Sequence, residues 1–344
     1  MTDVQNNING VKGYTYKVAR LNQYAGDIKR LSRVSCFRKK PRFFETMIEW
    51  FLFANSFVAI FVIVLIFVFL FNEGTRALFK IPVGDFIGTT VKNYFTGEES
   101  FRYIWQPVGS MPKYSIVPLI CGTILVAIPA TVISSLLGIA CGIFLSEIAP
   151  ERLREICKPV LELLAGIPTV VLGFLMLAVG ADIIQWLFHT SFRLNAFVGA
   201  IGVTCVIIPI IASLVEDTLH TTPREIREAS YALGANRYQT VMRAVLPYSI
   251  TGITAAVILG MGRAIGETMI VVMATGNAPQ ITLDVFKSVR TMTATIAGEL
   301  GAVAQGSVEY SAIFLVGSIL FTITFLLNLT TEIVLERVRR KIRM

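Results

Sequence analysis

Charge is what this sequence has least of. Only 16% of its 344 residues are Asp, Glu, Lys or Arg, and 54% are hydrophobic. Soluble domains carry about 25% charged residues, so the shortage excludes an ordinary soluble chain. Histidine is nearly missing. His189 and His220 stand far apart, and no metal-ligand spacing is present. The five cysteines, Cys36, Cys121, Cys141, Cys157 and Cys205, form no C-x-x-C pair. Three lie in apolar runs, as small apolar residues of a helix bundle do. The phosphate-cradling pattern G-x-x-x-x-G-K-[ST] is absent, so no nucleotide site of that kind is expected here. A cleavable leader is not expected either. Nearly fifty mostly polar residues precede the first apolar run, and that run is too long for a signal core.

What is present is six apolar runs, at about 50–72, 115–146, 160–180, 194–215, 250–274 and 311–334. A membrane-spanning helix needs about 20 such residues. The expectation is an all-α integral membrane protein with six transmembrane helices. Its parts are a basic tail over 1–49, a first helix over 50–72, an outer segment over 73–114, a transmembrane domain over 115–334 and a basic tail over 335–344. The net charge of +8 is explained by orientation. The two tails and the loops after spans two and four hold 22 Lys and Arg; the other three loops hold 8. The positive-inside rule then places both termini in the cytoplasm. The stretch "RKKPR" at 38–42 suits an anionic lipid surface, and no nucleic-acid partner is expected. Trp50, Trp105 and Trp186 all fall near span ends, where indole prefers the headgroup layer.

The loop at 216–249 is organised. Thr222, Pro223 and Glu225 read as a capping box with proline at the first helical position. Ile226, Ala229 and Leu233 follow at helical spacing, and Gly234 is a natural stop. Asn236 and Gln239 offer a second box, and Pro247 ends that short helix at the membrane. Ala229, Ser230, Ala232 and Ala235 would let another surface approach closely. The run "EASYALGANRYQTVMRAVLP" resembles the EAA loop of ABC importer permeases, carried by Glu228, Ala229, Ser230, Gly234, Leu246 and Pro247. Ser230 stands where that pattern has Ala. The resemblance implies a coupling helix, with Glu225 in its first turn, that docks on a cytoplasmic ATPase. ATP and Mg would then sit on that separate chain, with no cofactor on this one.

The stretch "GMGRAIGETMIVV" puts Arg263 and Glu267 inside the fifth apolar run. A charge at the centre of a membrane helix costs roughly 2.5–3.5 kcal/mol on insertion scales. Four residues apart on a helix, the two share a face and pair. Two readings stay open. One is a buried salt bridge that locks helices. The other is an anion pathway, in which the guanidinium fork receives an oxyanion, Glu267 competes for it, and Thr268 adds a hydroxyl. Gly166, Pro168 and Thr169 read as a break in span three, for the pathway or as a packing kink. Asn277 reads as a turn residue, and Glu162 as interfacial.

"GRAIGETM" resembles the membrane subunits of the phosphate-specific (Pst) ABC importer. Residues 145–174 and 233–253 are similar to the same family. The ending "GETM" favours its C-type subunit over its A-type. The likeness covers roughly 105–334. It implies a type I ABC importer permease fold, transport of inorganic phosphate by alternating access, and importance for Arg263 and Glu267. It also implies partners: a second, related permease subunit in a heterodimer, two ATPase subunits, and a periplasmic or surface phosphate-binding protein. Neighbouring readings are a permease for molybdate or sulfate, a non-transporting membrane scaffold, and an intramembrane enzyme using Glu267. No nucleophile or metal ligand accompanies Glu267 in the sequence to favour the last.

Overall fold

A computed structural model describes residues 43–92, 99–109 and 111–342. The tail before residue 43, with "RKKPR" and Cys36, lies outside the described residues, as do the last two positions. The chain divides into two units, Met1–Ile66 and Phe67–Met344. The first helix, α1 (Phe43–Lys80), crosses that boundary. In the first unit its apolar side chains are exposed on every side, Phe51, Phe57, Ile60, Phe61 and Ile63 among them. A helix apolar all round suits lipid, not water.

In the second unit α1 is followed by α2 (Val83–Ile87) and four short strands. The strands β1 (Thr89–Lys92) and β2 (Glu99–Arg102) pair antiparallel, with Thr89 opposite Arg102. So do β3 (Trp105–Gln106) and β4 (Lys113–Tyr114). These short strands were not foreseen; they are an addition to the helical fold that was expected. After them come α3 (Val117–Ile143), α4 (Glu151–Ala165), α5 (Thr169–Leu175), α6 (Ala181–Phe188) and α7 (Ala196–His220). The remainder is α8 (Arg224–Ala232), α9 (Arg237–Thr240), α10 (Leu246–Ile265), α11 (Met269–Ala274), α12 (Met292–Glu299) and α13 (Val308–Ile342).

Among the described residues six helical stretches are long and apolar enough to cross a membrane: Thr46–Lys80, Val117–Ile148, Thr169–Phe188, Ala196–His220, Arg237–Ile265 and Val308–Ile333. Their number and order are those expected. Two boundaries are corrected. The third span begins at Thr169, not near 160, because Gly166 ends α4 and Pro168 starts a new helix. The fifth runs from Arg237 to Ile265 and stops before "GET", where a continuous helix to 274 was expected.

Pro247 does not end a short helix as anticipated. A π turn at Val241–Val245 joins α9 to α10, with Leu246 N–H donating to Val241 O. Pro247 then falls in the first turn of α10, where its missing N–H costs nothing. Further π turns at Phe144–Ile148 and Met176–Gly180 extend α3 and join α5 to α6.

The centre of the second unit is α7, which buries Val203, Ile207, Ile211, Val215 and Leu219. It lies so close to α3 that a Cβ at Gly138 would come within 2.9 Å of Ile211, and one at Gly142 within 2.8 Å of Val215. This gives the Ser134-Gly138-Gly142 stripe a packing role. A second core, at the strand-bearing end, gathers Phe86, Trp105, Tyr114, Leu119, Met292 and Ile313. Trp105 belongs to it at 2% exposure, so it does not lie in a headgroup layer as expected; Trp50 and Trp186 are exposed at 69% and 76%.

Candidate functional site

Two constellations stand out, one at the end carrying α8 and one inside the bundle. At the first, Gly234 takes φ +83°, a left-handed value that a side chain would strain. It turns the chain from α8 into α9. Asn236 caps α9 in a complete capping box, accepting from Gln239 N–H at 2.8 Å while Gln239 Oε1 accepts from Asn236 N–H at 3.0 Å. The first box is absent. Pro223, not Thr222, is the N-cap of α8, with no side-chain cap. Thr222 is instead buried and hydrogen-bonded to Ser249 on α10 at 2.8 Å. Ser230, the departure from the motif, bonds Thr240 at 3.0 Å and ties α8 to α9. Glu225, Glu228, Ala229 and Pro247 are exposed, and Leu246 is half-buried. Leu233 is 90% exposed at the tip of the turn.

Beneath this hairpin lies a layer of ion pairs that no sequence pattern announced. Arg227 of α8 donates to Glu147 Oε1 at 2.6 Å, and to the carbonyls of Leu219 and Thr222 at 2.8 Å each. Leu219 lies in the last turn of α7, where a cation is favoured, and Thr222 in the turn that follows. The buried carboxylate of Glu216 pairs with Arg154 and, at 2.7 Å, with Lys158; Lys158 also reaches Asp217 at 2.8 Å. These hydrogen bonds, Asp217 first and then Glu216, hold the Lys158 pKa above its ordinary value. The outcome is that α4 turns its basic flank to α7. Its apolar residues Ile156, Val160 and Leu163 stay exposed, as does Glu162.

The second constellation is the break between α10 and α11. The ladder of α10 ends with Gly266 N–H on Gly262 O and a tighter last bond from Glu267 N–H to Ala264 O at 3.3 Å, and it restarts with Val272 N–H on Thr268 O. Glu267 sits in the gap, 2% exposed, while the Arg263 side chain is 43% exposed. They meet at 3.3 Å, guanidinium to Oε2, but this buried oxygen makes no hydrogen bond. Thr268 is half-buried, and its hydroxyl turns to Gly266 O at 3.3 Å. Thr293, which the sequence reading missed, donates to the carbonyl of Glu267 at 2.7 Å. Asn277 is a turn residue, at φ 55°, donating to Val272 O at 2.6 Å. Among the described residues no group of His, Cys, Asp and Glu could hold a metal.

Residues 134–344 match the family model described as the binding-protein-dependent transport system inner membrane component. The chain belongs to this family. It is accordingly a multi-pass inner-membrane permease, and its family is one of transport subunits, not of enzymes. The permease is 37% identical over 222 residues to the probable ABC transporter permease protein YqgH of Bacillus subtilis, covering 64% of this chain and 72% of that one. It is 35% identical over 253 residues to the phosphate transport system permease protein PstC of Mesorhizobium japonicum, covering 68% and 76%. An inward-facing structure of the MetNI methionine ABC transporter matches with TM-score 0.52 at 18% identity, over 65% of this permease and 95% of that chain. That likeness establishes the type I importer fold and nothing about the solute.

Proposed function

We propose that this permease moves inorganic phosphate inward, driven by ATP hydrolysed on separate subunits. The observation that carries the reading is Glu267, buried in a broken span with its Oε2 left without a hydrogen bond, and with the exposed guanidinium of Arg263 beside it. Burying a charge so poorly satisfied is a poor route to stability. It suits a path on which an oxyanion replaces Glu267 as the partner of Arg263, is held loosely and is released. The names of the PstC relatives support phosphate as that anion.

In this reading the α8 end faces the cytoplasm together with both termini. The tails are residues 1–49 and 335–344, and 115–334 is the transmembrane domain. Glu225, Glu228, Ala229, Ser230, Gly234, Leu246 and Pro247 form the coupling surface for an ATPase, with Leu233 as an apolar anchor. The strand-bearing end, with residues 73–114, faces outward and receives a solute-loaded binding protein. A second, related permease closes the pathway, since one chain encloses only half of it. Arg263, Glu267 and Thr268 line the path. Alternating access follows from ATPase closure pulling on α8.

The test compares uptake of labelled phosphate, sulfate and molybdate by cells with the gene intact, deleted, or carrying Arg263→Gln. Phosphate uptake lost on deletion and in the variant is expected. Loss of sulfate or molybdate uptake alone assigns another oxyanion. Unchanged phosphate uptake by R263Q makes the pair a structural salt bridge.

A further inference from the structure

Oε2 of the Glu267 carboxylate has no hydrogen bond to hold it. Besides the 3.3 Å approach of Arg263, the backbone of Glu267 governs where this oxygen lies. The N–H of Glu267 closes α10 on Ala264 O at 3.3 Å, while its carbonyl lies in the gap before the ladder restarts at Thr268 O. The carbonyl of Glu267 is instead bonded across 26 residues by Thr293 on α12.

The bond is directional. Thr293 has one hydroxyl proton, committed to Glu267 O at 2.7 Å. The 3.0 Å contact between the Thr291 and Thr293 hydroxyls must then run from Thr291 to Thr293. Thr291 in turn accepts from Ala294 N–H at 3.1 Å. Three groups of the first turn of α12 thus end on one carbonyl. The same turn is fastened to α3, where Thr123 Oγ1 accepts from Met292 N–H at 3.0 Å. Thr123, Thr291 and Thr293 are all buried.

The far end of α12 is tied to the strands. Glu299, its last residue, accepts from Trp105 Nε1 at 2.8 Å and from Arg290 at 2.5 Å. Trp105 is the first residue of β3 and is itself 2% exposed. An eight-residue helix therefore links the strand layer at one end of the bundle to the peptide of Glu267 inside it.

We propose that Thr293 is a positioning residue for Glu267, and that α12 carries the state of the outer strand layer to the Arg263–Glu267 pair. This rests on the reading of that pair as the solute path. Docking of a loaded binding protein would load the strands, shift Glu299, and move the Glu267 carbonyl through Thr293. The carboxylate would then open from Arg263 when solute is at hand.

The test uses the whole transporter, with its second permease, ATPase and binding protein, in liposomes with labelled phosphate. Thr293→Val keeps the shape and removes the hydroxyl; Thr293→Ser keeps the hydroxyl. T293V should lower kcat for uptake roughly tenfold with little change in the KM for loaded binding protein, a loss of transition-state positioning. T293S should stay within about twofold of wild type. Wild-type uptake by T293V, or a T293S as impaired as T293V, overturns the proposal. Should T293V fail to assemble, Trp105→Phe and Glu299→Gln decide at the other end of α12. Each should weaken the stimulation of ATP hydrolysis by loaded binding protein, and full stimulation in both overturns the proposal. Arg263→Gln is run alongside. If R263Q transports normally, the pathway reading fails; if it does not while T293V does, only the role of α12 fails.

Discussion

The charges under the α8–α9 hairpin and the charges in the broken span are treated in opposite ways. Glu216 is buried and has two cationic partners within hydrogen-bond reach, and Arg227 ends on a carboxylate and two backbone carbonyls. Every cost of burial there is offset by a bond. Glu267 is as buried as Glu216, yet it has one cation, at 3.3 Å, and an oxygen with no hydrogen bond. The first region is fully tied, as the proposed coupling role requires. The second is left incompletely satisfied, which is the condition for a partner to be exchanged.

The largest effect expected from this contrast is at Glu216. Breaking a buried ion network by removing one partner costs about 3–5 kcal/mol. Glu216→Gln should therefore sharply lower the thermal midpoint of the purified complex, whereas Arg263→Gln, which removes one 3.3 Å contact to an oxygen with no hydrogen bond, should lower it less. Equal shifts in the two variants would erase the distinction. Next is Leu233, at the exposed tip of the hairpin. Leu233→Asp should leave the midpoint within about 0.5 kcal/mol of wild type, as surface changes do, while ATPase recovery in co-purification falls. Retention of the ATPase would remove Leu233 from the docking surface.

A smaller effect is expected at Ser230. Losing its bond to Thr240 should cost about 0.5–1.5 kcal/mol in Ser230→Ala, a typical net value for one hydrogen bond. A midpoint unchanged in S230A would show that α8 and α9 are held by the Gly234 turn and the Asn236 cap alone. The smallest effect is on pH dependence. Lys158 has a pKa raised from the ordinary 10.5 by Asp217 and Glu216. A lysine with a raised folded pKa contributes its full stabilisation below the unfolded value and loses it only as pH climbs through the folded one. The loss from Lys158→Gln should thus be the same at about pH 6 and about pH 9. A loss that shrinks between these values would contradict the pairing.

Much of this was legible in the sequence, for physical reasons that also explain the rest. Spans are announced by some twenty apolar residues in a row, because the bilayer demands that length. The hairpin at 224–240 was legible because Gly234 and the Asn236–Gln239 box are local signals. The gap at Glu267 was not. Gly-Glu-Thr inside an apolar run reads as uninterrupted helix until Thr293, 26 residues on, supplies the bond that lets the ladder stop. The Thr222 cap failed for a similar reason: Ser249, distant in sequence, took its hydroxyl. Glu147 and Glu216 find their cations 80 and 62 residues away, and no spacing rule reaches that far. Trp105 lies close to a span end, but Glu299 drew its indole N–H into a core. The strands are two and four residues long, too short to register as an alternating pattern against the helical runs.

The central claim is that Arg263 is kept inside the bundle for an anion that passes it. The most direct measurement is a high-resolution structure of the assembled transporter trapped with phosphate inside. The account predicts an anion oxygen about 3 Å from the Arg263 guanidinium, with Glu267 moved away from it. A guanidinium turned to hydrocarbon, or still against Glu267 and sealed from every conduit, would contradict it.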